Sequence, residues 1–232
     1  MGQSHITNPE AAAFQRRLQH GIEEIRRCGF WFVDIPRTSS SSIRVELGQQ
    51  YGPIYGKQNL FDQQHASVQL FPDHIPAIKM RQLIGNELWA SIFTFTFVRN
   101  PWDRMVSLYH YLKSSGNIRG QMKFREFVYL LKEAKEGANI PLFRYHGHHY
   151  GGVDFVQDEQ NNIIVDFIGK FENRENDIRE IKEKLGCKSL GDLTIQKACI
   201  SGKHYSAFYD EETMVIIGKI YAEDVRLFDY CF

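Results

Sequence analysis

The sequence predicts an α/β fold, with a central parallel sheet flanked by helices. Two observations carry that expectation. A short apolar strand, a polar loop and a helix follow one another near Phe30, and the order returns near Ile92. Alternation of this kind favours a parallel sheet covered by helices. The length agrees: at roughly 100–200 residues per domain, 232 residues make one large α/β domain or two small ones. No repeat, low-complexity linker or composition shift divides the chain. We therefore read residues 1–232 as a single domain.

The elements follow in order. Phe14, Leu18, Ile22 and Ile25 recur at helical spacing, which predicts an amphipathic helix over Pro9 to Arg27. Phe30 to Ile35 is aromatic and β-branched, bounded by Gly29 and Pro36, and reads as a buried strand. Ile43, Leu47 and Tyr51 give one face of a second helix, ending near Gly52-Pro53. Met80, Leu83, Ile84 and Leu88 predict another. Ile92 to Val98 is the second buried strand. Asn100-Pro101-Trp102-Asp103 starts a helix, with Asn as N-cap and Pro at the first helical position. Trp102, Met105, Val106, Tyr109 and Leu112 supply its apolar face, and Arg104, Ser107 and Tyr111 are expected to share the opposite one. Phe124, Phe127, Val128 and Leu131 mark a further helix. Val153–Val156 and Ile163–Ile168 flank a polar turn and read as a hairpin. Ile178, Ile181 and Leu185 mark a helix stopped by Gly186. Met214, Ile217, Tyr221 and Phe228 mark the last.

Composition removes several function classes. Lys+Arg and Asp+Glu both number 28, so the formal net charge is zero. A protein that binds nucleic acid along its surface is normally basic, so no nucleic-acid partner is expected. The first residues lack an apolar signal region. No apolar run approaches the roughly 20 residues of a spanning helix, so no membrane partner is expected and the expected location is the cytoplasm. The four cysteines form no CxxC pair, which fits reduced thiols. The histidines at 146, 148 and 149 have no Cys or carboxylate at metal-ligand spacing, so no metal is expected.

Two segments carry the chemistry. Arg37, Thr38, Ser39, Ser40, Ser41 and Ser42 lie between a strand and a helix. Backbone N–H groups at a helix N-terminus favour a negative ligand. The hydroxyls add donors, and Arg37 adds a forked, permanent cation. This is what a phosphate or sulfate cradle requires. It is not a nucleoside-triphosphatase loop, because G-x-x-x-x-G-K-[ST] is absent; a small-kinase reading loses its support there. In the second segment, Phe97 to Tyr109, Arg99 stands where the strand ends and Ser107 lies one to two turns into the helix. The two can converge on a second anion at the same sheet edge.

Together these segments resemble PAPS-dependent sulfotransferases, in particular the carbohydrate-sulfotransferase-like group with soluble bacterial members. In that family a strand–loop of the type I-P-K-T-[GA]-[GS]-T-S holds the 5′-phosphosulfate. A strand–helix of the type F-V-R-N-P-[WY]-D-R-x-V-S-x-Y holds the 3′-phosphate, and Phe97 to Tyr109 matches it nearly residue for residue. Val165 to Asn173 resembles the family's D-F-[IV]-G-[RK]-F-E-N, and Lys203-His204-Tyr205 with Tyr209 to Thr213 resembles its C-terminal segment. The resemblance covers Phe30 to Phe228. It departs from the pattern at Arg37, where the family has lysine, and at Ser39 and Ser40, where the family has small residues.

The resemblance implies a P-loop-like sulfotransferase architecture and a transferase that moves a sulfuryl group from PAPS to a glycan or small-molecule acceptor, releasing PAP. It assigns cofactor binding to Arg37, Thr38, Ser39, Ser40, Ser41, Ser42, Arg99, Ser107 and Lys203. Arg37 would also stabilise the leaving phosphate. Sulfuryl transfer asks for alignment and charge stabilisation, and a base must take the acceptor's proton. His65, in the polar segment after the first loop and its helix, is the expected base, because histidine accepts a proton near neutral pH. Asp62 and His204 are the runners-up. The competing reading is a PAP- or PAPS-binding protein that has lost transfer and acts as a regulatory or interaction module.

Overall fold

A computed structural model describes residues 9–51, 74–118, 120–143, 147–186 and 202–232. Among these, strands β1 (Phe30–Val33), β2 (Phe93–Val98) and β3 (Phe167–Lys170) form one parallel sheet in the order β1-β2-β3. Phe30 pairs with Phe93 and Val33 with Thr96; Phe95 pairs with Phe167 and Val98 with Lys170. A parallel sheet is buried on both faces, so its strands read as apolar runs. The two threonines of β2 find partners inside. Thr96 Oγ1 donates to the Val33 carbonyl at 2.6 Å, and Thr94 donates from both N and Oγ1 to Asp166, each at 2.7 Å.

Helix α1 (Pro9–Cys28) packs on β1 through Ile25, and α2 (Ser40–Tyr51) leaves the first strand's loop. The expected helix over Met80 to Leu88 is two, α3 (Ala77–Ile84) and α4 (Asn86–Ser91). Gly85 takes φ +88° between them, a left-handed conformation that no helix interior holds. Helix α5 (Pro101–Ser114) begins as its sequence predicts: Asn100 Oδ1 accepts the Trp102 N–H at 3.0 Å. With α6 (Phe124–Lys135) and α9 (Glu211–Ile220), it encloses a second core of Trp102, Met105, Leu108, Phe127 and Ile217. Helix α8 (Arg174–Leu185) stops at Gly186 in the αL conformation.

Two further expectations change. Val153–Val156 is not a strand but one helical turn, α7, and a single bridge between Gln157 and Ile163 is what the expected hairpin becomes. The cause is distant in sequence. The Asp224 carboxylate accepts the N–H groups of Gly152 and Val153 at 2.6 and 3.0 Å and so caps a helical turn. The last helix breaks at Tyr221 into α9 and α10 (Ala222–Leu227). The buried Tyr221 hydroxyl donates to the His149 carbonyl at 3.1 Å. Arg104 shares a face of α5 with Ser107 and Tyr111, yet alone of the three it is buried. It is 1% exposed, donates to the Tyr150 carbonyl at 2.6 Å and lies 5.1 Å from the Tyr221 ring centroid. No described helix is long and apolar enough to cross a membrane.

Candidate active site

The carboxyl ends of β1, β2 and β3 deliver Arg37, Arg99 and Phe171 to one edge of the sheet. Ligands of open parallel sheets bind at this edge. After Ile35 the chain turns sharply: Thr38, fully buried, donates from Oγ1 to the Ile35 carbonyl at 2.9 Å. Arg37 and Ser39 both take φ +68°, in the left-handed region where glycine is at ease. Such strain in a non-glycine residue clusters at functional sites. The Ser39 carbonyl then accepts the Ser42 N–H at 3.1 Å, and α2 begins. Its N-terminus opens onto the edge, where orphan N–H groups and the helix dipole favour an anion.

The side chains divide in two. Thr38 and Ser40 turn inward, and the Ser40 hydroxyl hydrogen-bonds Asp34. What they offer a ligand is backbone N–H. Arg37 and Ser39 are half-buried, and Ser41 and Ser42 are exposed.

Arg37 and Arg99 sit together. Arg99 donates from Nη1 to the Arg37 carbonyl at 3.1 Å, pairs with Asp103 at 2.8 Å and stacks over Phe171 at 4.1 Å from the ring centroid. Arg37 donates from Nε and Nη2 to Ser107 Oγ at 3.2 and 3.0 Å and lies 4.7 Å from the Tyr111 ring centroid. Burial, and then the neighbouring Arg99 charge, lower the pKa of Arg37 from its ordinary value. The group remains a cation at any physiological pH. The two guanidiniums, both partly withdrawn from water, lie close enough for the Arg99 charge to act on Arg37. Arg37 thus meets residues 62 and 70 positions away, and Ser107 bonds Arg37, whereas the sequence pairs it with Arg99.

Beside this cradle lies a group the sequence reading missed. Asp34, the residue after β1, is 7% exposed. Arg44 Nη1 donates to its Oδ2 at 2.9 Å. His74 places Nδ1 3.2 Å from Oδ1 and 3.1 Å from the Asp34 carbonyl. Burial works to raise the Asp34 pKa. Hydrogen bonds from His74 and Ser40, with the charges of His74 and Arg44, outweigh it and hold the carboxyl at about 2. The His74 ring packs 5.6 Å from that of His148, which packs 5.7 Å from Tyr111, the ring under Arg37. A continuous run of side chains thus joins the cation of the cradle to an imidazole. No local spacing betrays it, because Asp34 and His74 lie 40 residues apart.

The other expected residues fall as follows. His65, Asp62 and His146 lie outside the described residues. Lys203 is exposed, two residues before a 3-10 turn, Tyr205–Phe208, that packs on α5. His204 caps that turn: its Nδ1 accepts the Ser206 N–H at 3.4 Å and lies 2.8 Å from Ser206 Oγ. His149 lies apart from His148, with its ring against Phe143 and Tyr150. Among the described residues no three His, Cys, Asp or Glu side chains group as a metal site.

Fold and site define an α/β protein that gathers two arginines and a helix N-terminus at the carboxyl edge of a parallel sheet. The model of the sulfotransferase family matches residues 62–231, and the chain belongs to that family. An uncharacterized protein from Archaeoglobus fulgidus is 32% identical over 124 residues, covering 53% of this chain and 92% of that one. The crystal structure of a sulfotransferase from Alicyclobacillus acidocaldarius is similar at a TM-score of 0.42 and 13% identity, over 94% of this chain and 92% of that chain. Family membership makes sulfuryl transfer the class of activity.

Proposed function

We propose that this chain transfers the sulfuryl group of PAPS to a hydroxyl or amine of a glycan or small-metabolite acceptor, as a single domain over residues 1–232. The observation that carries the reading is the meeting of Arg37, Arg99 and Ser107. Two anion-binding segments far apart in sequence share one edge, as a donor with phosphate at both its 5′ and 3′ positions requires. The residues fit such a donor. Two adjacent guanidiniums and a helix N-terminus supply charge, and Phe171 and Tyr111 supply ring faces.

Bound PAPS supplies an electrophilic sulfur on a phosphate leaving group. Arg37 and the first N–H groups of α2 hold the charge that gathers on that phosphate, in a half-buried place where such contacts count for more than in water. Arg99 and Ser107 hold the 3′-phosphate. A histidine takes the acceptor's proton. The sequence nominates His65 and the geometry nominates His74. Arg37 in place of lysine, bonded to Ser107, is what supports the second reading, a module that binds PAP without transfer.

The test is a screen of acceptors with radiolabelled PAPS, run with and without EDTA. The expected result is label transfer that survives EDTA. Removing the base by His65→Ala or His74→Ala should lower kcat by roughly 10²–10⁴-fold, with PAP affinity within a few-fold. Tight PAP binding with no transfer to any acceptor would establish the binding-only reading. Failure to bind PAP would overturn the donor assignment.

A further inference from the structure

We infer that Asp34 is the positioning residue of the proton-transfer step: it fixes His74 as the Nδ1–H tautomer and so presents Nε2 as the base. The inference rests on His74 being the proton acceptor of the proposed reaction. It follows from the chemistry of the acceptors around Nδ1. That atom faces the Asp34 carbonyl at 3.1 Å and Asp34 Oδ1 at 3.2 Å. A carbonyl accepts only, and an ionised carboxylate accepts only. Asp34 is held ionised by Arg44 at 2.9 Å and by the Ser40 hydroxyl. The carbonyl that bonds Nδ1 requires that nitrogen to carry the proton, and the carboxylate charge 3.2 Å away favours the same form. In neutral imidazole the other nitrogen, Nε2, then holds the lone pair.

The arrangement also explains why a carboxylate is buried directly after β1. Its Arg44 partner stands on α2 and its Ser40 partner at that helix's first residue, the same helix whose N-terminus forms the cradle. Asp34 therefore ties the imidazole to the anion site as one rigid unit, and the His148 and Tyr111 rings close the far side. In the transfer step the acceptor O–H proton passes to Nε2 while the acceptor oxygen bonds to sulfur. The bond from sulfur to the 5′-phosphate oxygen breaks, and its electron pair stays on that phosphate. The imidazolium so formed lies against the Asp34 carboxylate and afterwards gives its proton to solvent.

The decisive measurement is made on the wild-type protein. A long-range 1H–15N spectrum of the wild-type protein above neutral pH, with His74 assigned by the signals lost in His74→Gln, reads the tautomer directly. The Nδ1–H form is expected, and an Nε2–H form would overturn the inference even if Asp34 variants failed to fold. In Asp34→Asn, kcat should fall by about 10²-fold or more while KM for PAPS stays within a few-fold, and Asp34→Glu should recover part of the loss. An Asp34→Asn protein with unchanged tautomer and kcat would also overturn it. A near-normal kcat in His74→Ala beside an Nδ1–H spectrum would instead remove the base assignment beneath it, so the two failures are distinguishable.

Discussion

Arg99→Ala should erase the preference for PAP over AMP. Arg99 has three partners in the structure: Asp103 at 2.8 Å, the Arg37 carbonyl at 3.1 Å and the Phe171 ring at 4.1 Å. None is a 3′-phosphate, yet all hold the guanidinium at the strand end where one would lie. A hydrogen bond to a charged group contributes about 1.5–3 kcal/mol. At about 1.4 kcal/mol per factor of ten, its loss lowers PAP affinity by roughly 10- to 150-fold. The variant also leaves the Asp103 carboxylate facing the site without its cation, which pushes the loss toward the upper figure. AMP lacks the 3′-phosphate, so its affinity should move by only a few-fold. Isothermal titration with both nucleotides gives the ratio, and Arg99→Lys, which keeps charge but loses the fork, should fall between. The resting protein will also soften, because the contacts to Phe171 and the Arg37 carbonyl go; about 1–2 kcal/mol is expected. The readout is therefore the ratio of two affinities within one variant, which common destabilisation cancels. A PAP-to-AMP ratio unchanged from wild type would refute the placing of Arg99 at the 3′-phosphate.

Two further predictions concern the scaffold. Gly169 of β3 has no room for a side chain: a Cβ there would lie 2.5 and 2.8 Å from two atoms of the Phe97 ring, itself fully buried. Gly169→Ala should cost about 1–3 kcal/mol in urea unfolding, and an unchanged midpoint would contradict the packing described for β2 and β3. Asp34 titrates at about 2 in the fold, below the ordinary aspartate value of about 3.9. A carboxylate with a depressed pKa adds stability that is complete above the unfolded value and drains as pH falls toward the folded one. Wild type should therefore lose on the order of 2 kcal/mol between about pH 4 and 2 that Asp34→Asn does not lose; parallel pH curves for the two proteins would refute the environment assigned to Asp34.

The elements legible in the sequence are those whose cause is local. β2 and α5 follow from an apolar run and an Asn-Pro start, and α8 ends where Gly186 says it should. The misread elements answer to distant residues. Val153–Val156 alternates like a strand, and Asp224, some 70 positions later, turns it into a helix. Tyr221 looks like one more apolar position at helical spacing, and its buried hydroxyl breaks that helix to reach His149. Arg104 shows in the sequence only as a cation at a helical position, and the core around Tyr221 decides its burial. The site shows the same division. Arg37, Arg99 and Ser107 stand in segments whose type announces an anion. Asp34 and His74 carry no such signature, and only the folding of residue 74 back over the end of β1 makes them a pair.

The contact between Arg37 and Arg99 has a practical side. Like charges held together by the backbone repel, and with Asp103 as a partial counterweight they attract any compact oxyanion. Phosphate and sulfate in a buffer offer that relief without an adenosine attached. They should occupy the cradle, raise the melting temperature by mass action and compete with nucleotide. An affinity measured in phosphate buffer would then describe an exchange of anions, and one measured in a buffer of bulky monovalent ions would describe the cradle itself.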